Sequence, residues 1–209
     1  NQAREATGHF VVGITPAIGA AIYKAGTAGQ NILIIGARLC LTDTPIQLIA
    51  LVPDRAAYGR LCRLLTLGKR RAPKGECYLT LQDVAEHGEG LILIGAVPDA
   101  SDNVDGQLAH AGSILGTRLR YLALTPRHDG RDAERFGALV RLAQVHDLIP
   151  VATTQPMMHR GNRRKLADIL TCIREGCTVD TLGRLALPNA EQHLRGPEAM
   201  ARVYRDYPE

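Results

Sequence analysis

The chain has no tryptophan and only two phenylalanines among its 209 residues. Its core must therefore be built from Leu, Ile, Val and Ala. With so few aromatics there is also no interleaved platform on which the bases of a single strand would stack. No apolar run reaches the roughly 18 residues that a membrane-spanning helix needs. The opening NQAREATGHF lacks the basic-then-apolar layout of a secretory signal. There is no initiator Met, so the chain is expected to begin part-way through something longer or to have been trimmed. The five cysteines (Cys40, Cys62, Cys77, Cys172, Cys177) are odd in number, scattered, and form no C-x-x-C. That pattern points to a reducing cytoplasm, with the buried thiols acting as small hydrophobes.

What remains is enough for one sizeable core, so one domain over residues 1–209 is the expectation. A formal net charge of +4 is mildly basic and favours a polyanionic partner without requiring one. Strand-length apolar runs alternate with helical patterns. Phe10–Ile14, Ile32–Ile35, Ile46–Val52, Leu91–Ile94, Leu119–Leu124 and Ile149–Thr153 read as strands. Their continuous rather than alternating character suits parallel, helix-covered strands, with the first, second and last buried in the core. Ile18–Ala28, Arg55–Leu67, Leu81–Glu86, Val104–Leu115, Arg131–Asp147, Asn162–Glu175 and Glu198–Tyr204 read as helices. The exception to β-α alternation is Leu39–Val52, where Thr42-Asp43-Thr44-Pro45 reads as a hairpin turn. The alternation argues for an α/β fold with a parallel sheet or barrel.

The most informative stretch is Asp54–Thr80, DRAAYGRLCRLLTLGKRRAPKGECYLT. It reads as an Asp-capped amphipathic helix, a basic elbow and a second capped helix beginning near Thr80. Tyr58, Leu61, Leu64 and Leu65 make one apolar stripe, with Arg60 and Arg63 off it. Lys69, Arg70, Arg71 and Lys74 crowd the following turn, and Arg160, Arg163, Arg164, Lys165 and Arg174 form a second basic group. Such residues can neutralise phosphates. The plainer reading is a solvated face, or salt bridges to neighbouring domains.

In its order of residues this stretch resembles the helix and elbow of the PHP (polymerase and histidinol phosphatase) domain of bacterial family C replicative DNA polymerases, closest to the error-prone branch. Phe10–Thr15, Ile32–Leu41 (ILIIGARLCL), Val151–His159 (VATTQPMMH), Asp168–Asp180 (DILTCIREGCTVD) and His193–Met200 (HLRGPEAM) extend the resemblance over nearly all of the chain. It implies a distorted, seven-stranded TIM-like barrel whose N-terminal part is missing, and a single PHP-like domain cut from a larger polymerase. In members with intact sites, strand ends hold up to three metal ions through His, Asp and Glu.

Here the departures outweigh the matches. The family's first His-x-His would precede residue 1. The positions of its metal ligands are matched by Pro16, Ala17, Arg38, Gln47, Gln155 and Met157, none of them a good ligand. A phosphoesterase needs clustered imidazoles and carboxylates to activate water and clamp phosphoryl oxygens. The seven histidines (His9, His87, His110, His128, His146, His159, His193) form no H-x-H or H-E-x-x-H. His87 and His146 read as solvated helix ends, and His128-Asp129 with Arg131 as a turn cap. Ser101 and Ser113, the only serines, lie in no G-x-S-x-G, and the glycines form no Walker loop.

The resemblance therefore implies a degenerate, metal-free platform domain with no catalytic residue of its own. The parent would synthesise DNA across damaged template, with Mg²⁺ held in a polymerase domain outside this segment. Implied partners are DNA through the full-length protein, other polymerase domains, a sliding clamp and mutagenesis accessory proteins. The rival readings are a stand-alone PHP-type metal-dependent phosphoesterase or 3′-5′ exonuclease, and a non-enzymatic partner-recruiting module.

Overall fold

A computed structural model describes residues 35–98 and 103–207. The expected strand Phe10–Ile14, the helix Ile18–Ala28 and the start of Ile32–Ile35 lie outside the described residues, as do Pro16 and Ala17. In chain order the elements are β1 (Ile35–Leu39), β2 (Gln47–Val52), α1 (Arg55–Arg71), α2 (Leu81–His87), β3 (Ile92–Ala96), α3 (Val104–Leu115), β4 (Leu119–Leu124), α4 (Asp132–Val145), β5 (Ile149–Ala152), α5 (Arg164–Glu175) and α6 (Pro197–Val203). The class is mixed α/β. The described strands form one sheet in the order β1-β2-β3-β4-β5, an open row of five rather than a closed seven-stranded barrel.

Strand direction corrects the parallel expectation. β1 pairs antiparallel with β2, Leu39 opposite Leu48, and β2 antiparallel with β3, Leu51 opposite Ile92. β3 and β4 pair parallel, with an irregular register at Leu93/Ile94. The hairpin turn is as the sequence implied. The long excursion through α1 and α2 returns the chain beside the point where it left β2, so β3 must run back. The apolar runs are continuous because β3 is covered on both faces: Leu93, Ile94, Gly95 and Ala96 are all buried. Burial on two faces, not strand direction, produced the pattern. β5 departs from expectation too. Ile149 is 44% exposed and no residue of the strand is buried, because β5 ends the described row and has a neighbour on one side only.

Contacts divide the described residues into two compact units. One comprises those up to Ala123 together with Arg141–Pro150; the other comprises Leu124–Val140 and the residues from Val151 onward. In the first, Ala37, Leu39, Leu48, Ala50 and Leu93 share one sheet face and are buried. α1 packs on β2, and α1, α2 and α3 pack in succession, contributing Leu61, Leu64, Leu65, Leu81, Val84, Leu108 and Leu115. Each such side chain contributes about 1.5–3 kcal/mol when fully buried.

α1 begins where Asp54 Oδ1 accepts the Ala57 N–H at 2.7 Å. It runs four residues past the expected Leu67, so Lys69, Arg70 and Arg71 lie in its last turn, where cations complement the helix dipole. It stops at Ala72, which is extended as residues before proline prefer. Its buried face is Ala57, Leu61, Leu64, Leu65 and Gly68. Tyr58, expected on that stripe, is 42% exposed, one residue round the helix from Ala57. Gly68 lets the elbow fold back: an added Cβ would lie 2.6 Å from Cys77 Sγ and 2.7 Å from Leu79 Cγ. The elbow is pinned to the hairpin turn by the Thr42 N–H to the Leu79 carbonyl (2.8 Å) and by Asp43, which accepts the Leu81 N–H at 3.0 Å.

The second unit is tied by Tyr204. Its hydroxyl lies 2.6 Å from the Leu124 carbonyl and 2.7 Å from that of Thr153, and its ring stacks on Phe136 at 5.4 Å. Burial pushes its ionisation up to about 12. Asp132 opens α4 by accepting the N–H groups of Arg127 and His128 at 2.9 and 2.8 Å.

Candidate functional site

The sheet register decides where the expected ligand positions fall. Arg38 lies opposite Ile49, and Gln47 opposite Ala96. Both therefore stand on the sheet face opposite Ala37, Leu39, Leu48, Ala50 and Leu93. That face carries Ile94, Ala96 and Ala123, with Ile49, Leu51 and Tyr121 packed against them. A guanidinium has only donors to offer, and a half-buried apolar cluster offers no electron pair at all. Among the described residues, no three His, Cys, Asp or Glu side chains gather closely enough to hold a metal ion. Among the described residues, Arg38, Gln47 and their apolar neighbours make no ligand set for a metal cluster.

Gln155 and Met157 belong to the second unit. Gln155 adopts a left-handed backbone (φ 41°) and its side-chain amide donates to the Thr125 hydroxyl at 3.3 Å. Met157 is 55% exposed, with its N–H on the Gln192 carbonyl at 2.9 Å. The structure thus brings Arg38 and Gln47 onto one face and places Gln155 and Met157 on a separate unit.

The basic elbow is partly committed to structure. Arg71 donates twice to Asp83, and the Arg60 guanidinium donates to the Glu89 carbonyl. Asp83 also accepts the Thr80 N–H at 2.9 Å, closing a capping box at the start of α2. Burial opposes ionisation of Asp83, but the Thr80 amide and the Arg71 guanidinium outweigh it and hold the carboxyl below its ordinary value. Arg63, Lys69, Arg70 and Lys74 are exposed. Arg63 and Arg70, seven residues apart, share the helix face opposite the core.

In the second unit Arg163 and Lys165 are exposed. Arg164 donates to the Leu187 carbonyl at 2.5 Å and pairs with Asp168 at 3.6 Å. The histidines are dispersed in roles of their own. His146, expected to be solvated, pairs with Asp105 at 2.8 Å, its side chain only 16% exposed; α3 and the end of α4 bring together residues 41 positions apart. His128 Nε2 accepts from Arg195 at 3.1 Å, and Asp129 accepts the Arg131 N–H at 3.0 Å, the turn cap that the sequence suggested. Reading 162–175 as a basic helix missed its second property, a stripe of exposed aliphatic side chains; the i, i+3, i+4, i+7 spacing was the available signal.

No family model matches the chain. The error-prone DNA polymerase of Ruegeria pomeroyi is 49% identical over 178 residues, 84% of this chain and 16% of that protein. That of Rhodopseudomonas palustris is 38% identical over 179 residues, 85% of this chain and 16% of the relative. Error-prone DNA polymerase 1 of Agrobacterium fabrum is 38% identical over 193 residues, 91% of this chain and 18% of the relative. The chain spans about a sixth of the length of these curated relatives. Through most of its residues, then, it is related to one segment of the error-prone DNA polymerases.

Proposed function

We propose that the chain is a degenerate PHP domain of an error-prone family C DNA polymerase. In this reading it acts as a metal-free structural platform while the full-length protein synthesises DNA across damaged template. The observation that supports the reading is the face shared by Arg38 and Gln47: a cation and a neutral amide stand beside an apolar cluster, at positions that the resemblance matches to acidic and imidazole ligands. A metal would meet repulsion there instead of coordination.

The complete seven-stranded barrel belongs to this proposal, as does Mg²⁺ bound in a polymerase domain elsewhere in the parent. The parent's partners would be DNA and its own other domains, with a sliding clamp and accessory proteins recruited by the whole polymerase. The test is primer extension by the full-length protein on a template carrying an abasic site. Extension past the lesion that requires Mg²⁺ and persists in an Arg38→Ala variant is expected. Absence of any polymerisation, or 3′-end nucleotide release that is abolished by that substitution, would contradict the reading.

A further inference from the structure

Helix α5 is amphipathic in reverse. Leu166, Ile169, Leu170 and Ile173 fall at i, i+3, i+4 and i+7 and are 49, 45, 59 and 72% exposed. The other side of the helix faces inward with Arg164, Asp168 and the buried Cys172. Surface helices ordinarily turn their apolar stripe to the core and their polar side to water. Four adjacent aliphatic side chains exposed in this way approach the few hundred Å² of contiguous apolar surface, roughly, that mark an interaction site. Lys165 and Arg174 flank the stripe, roughly 90° to either side of its centre at 100° per residue; both are exposed, and Arg174 is paired with Glu175 at 2.8 Å.

We propose that this stripe is a docking face for another part of the parent polymerase chain, a segment presenting an apolar surface rimmed by carboxylates. The inference rests on the polymerase reading above. Two observations select the occupant. The relatives extend well beyond the matched segment, which is 16–18% of their length, so most of such a polymerase lies outside it. A second copy is disfavoured, because an antiparallel isologous contact through this stripe would set the Lys165 rims of both copies on the same side of the contact.

The test uses the full-length polymerase that carries this chain. Hydroxyl-radical oxidation of Leu166, Ile169, Leu170 and Ile173 is compared between native and urea-unfolded protein, and a zero-length carbodiimide cross-linker joins lysines to touching carboxylates. The expected result is protection of the stripe in the native protein and a cross-link from Lys165 to an Asp or Glu outside residues 1–209, lost in the Leu170→Asp/Ile173→Asp variant. Oxidation as fast in the native as in the unfolded protein would overturn the proposal. So would a Lys165 cross-link confined to this segment, to a second copy or to a separate accessory protein. An active polymerase with an exposed stripe sinks only this inference, whereas a reading frame with no polymerase sequence beyond the segment sinks the functional reading as well.

Discussion

Arg71, in the last turn of α1, holds Asp83, in the first turn of α2, through hydrogen bonds of 2.9 and 2.7 Å. The same carboxylate caps α2 at Thr80. One carboxylate therefore serves the helix end before the elbow and the helix start after it, and links the two.

Asp83→Ala is expected to destabilise the protein by about 1–3 kcal/mol, the cost of losing a cap and a partly solvated charge partner. Because the folded carboxyl titrates below its ordinary value, the stability it adds is present above about pH 4. It is lost as pH falls through the lower, folded value. Urea denaturation across this range should show a flatter acid limb for Asp83→Asn than for the parent; identical slopes would count against the pairing.

Gly68→Ala and Gly59→Ala should move stability in opposite directions. The first places a methyl group within 2.6 Å of Cys77 Sγ and is expected to cost about 1–3 kcal/mol through overpacking. The second meets nothing within 4 Å and should gain about 0.5–1 kcal/mol from helix propensity. Thermal melts of the two variants check both signs.

Tyr204→Phe keeps the stack on Phe136 but removes the single hydroxyl proton shared between the Leu124 and Thr153 carbonyls, of which, among the described residues, only that of Leu124 retains a backbone donor, the Thr153 N–H at 3.0 Å. A loss of about 1–3 kcal/mol is expected. The raised ionisation of this phenol gives the opposite pH sign to Asp83: its contribution is complete below about pH 10 and fades as pH rises towards the folded value. Tyr58 and Tyr78 are also raised, so ultraviolet titration should show several late tyrosines, and Tyr204→Phe should remove the step at about 12.

Binding of single-stranded DNA by this segment is expected to be weak and steeply salt-dependent, with a dissociation constant on the order of 10⁻⁴–10⁻⁶ M at physiological salt, or weaker. Arg63, Arg70 and Lys74 are exposed and can meet phosphates, but phosphate contacts carry no base information. Fluorescence anisotropy that found nanomolar binding surviving 200 mM salt would contradict this, the salt series being read as a counterion-release slope.

Much of the elbow was legible in residue order. Asp54 and Thr80 are short-side-chain caps placed just before apolar periodicity, and both cap as their positions imply. The length of α1 was not: the basic residues that look like a turn are good helix formers, and the stop comes only at Ala72-Pro73. Strand direction was hidden because two-sided burial gives β3 a continuous apolar run although it pairs antiparallel with β2. The pairings His146–Asp105 and Tyr204–Leu124 span 41 and 80 residues, and nothing local announces a contact at that separation. For the candidate site, the sequence supplied the residue identities, while the apolar cluster beside Arg38 and Gln47 required the strand register.

The absence of a working metal centre is the claim on which the functional reading turns, and elemental analysis of the full-length protein, purified without added metal and freed of loosely bound Mg²⁺, tests it most directly. The account predicts Zn, Mn and Fe well below one equivalent per chain, with no change in stability on adding a chelator. One or more tightly bound equivalents, lost together with a 3′-end nuclease activity on chelation, would mean that a site is assembled from residues assigned no such role here.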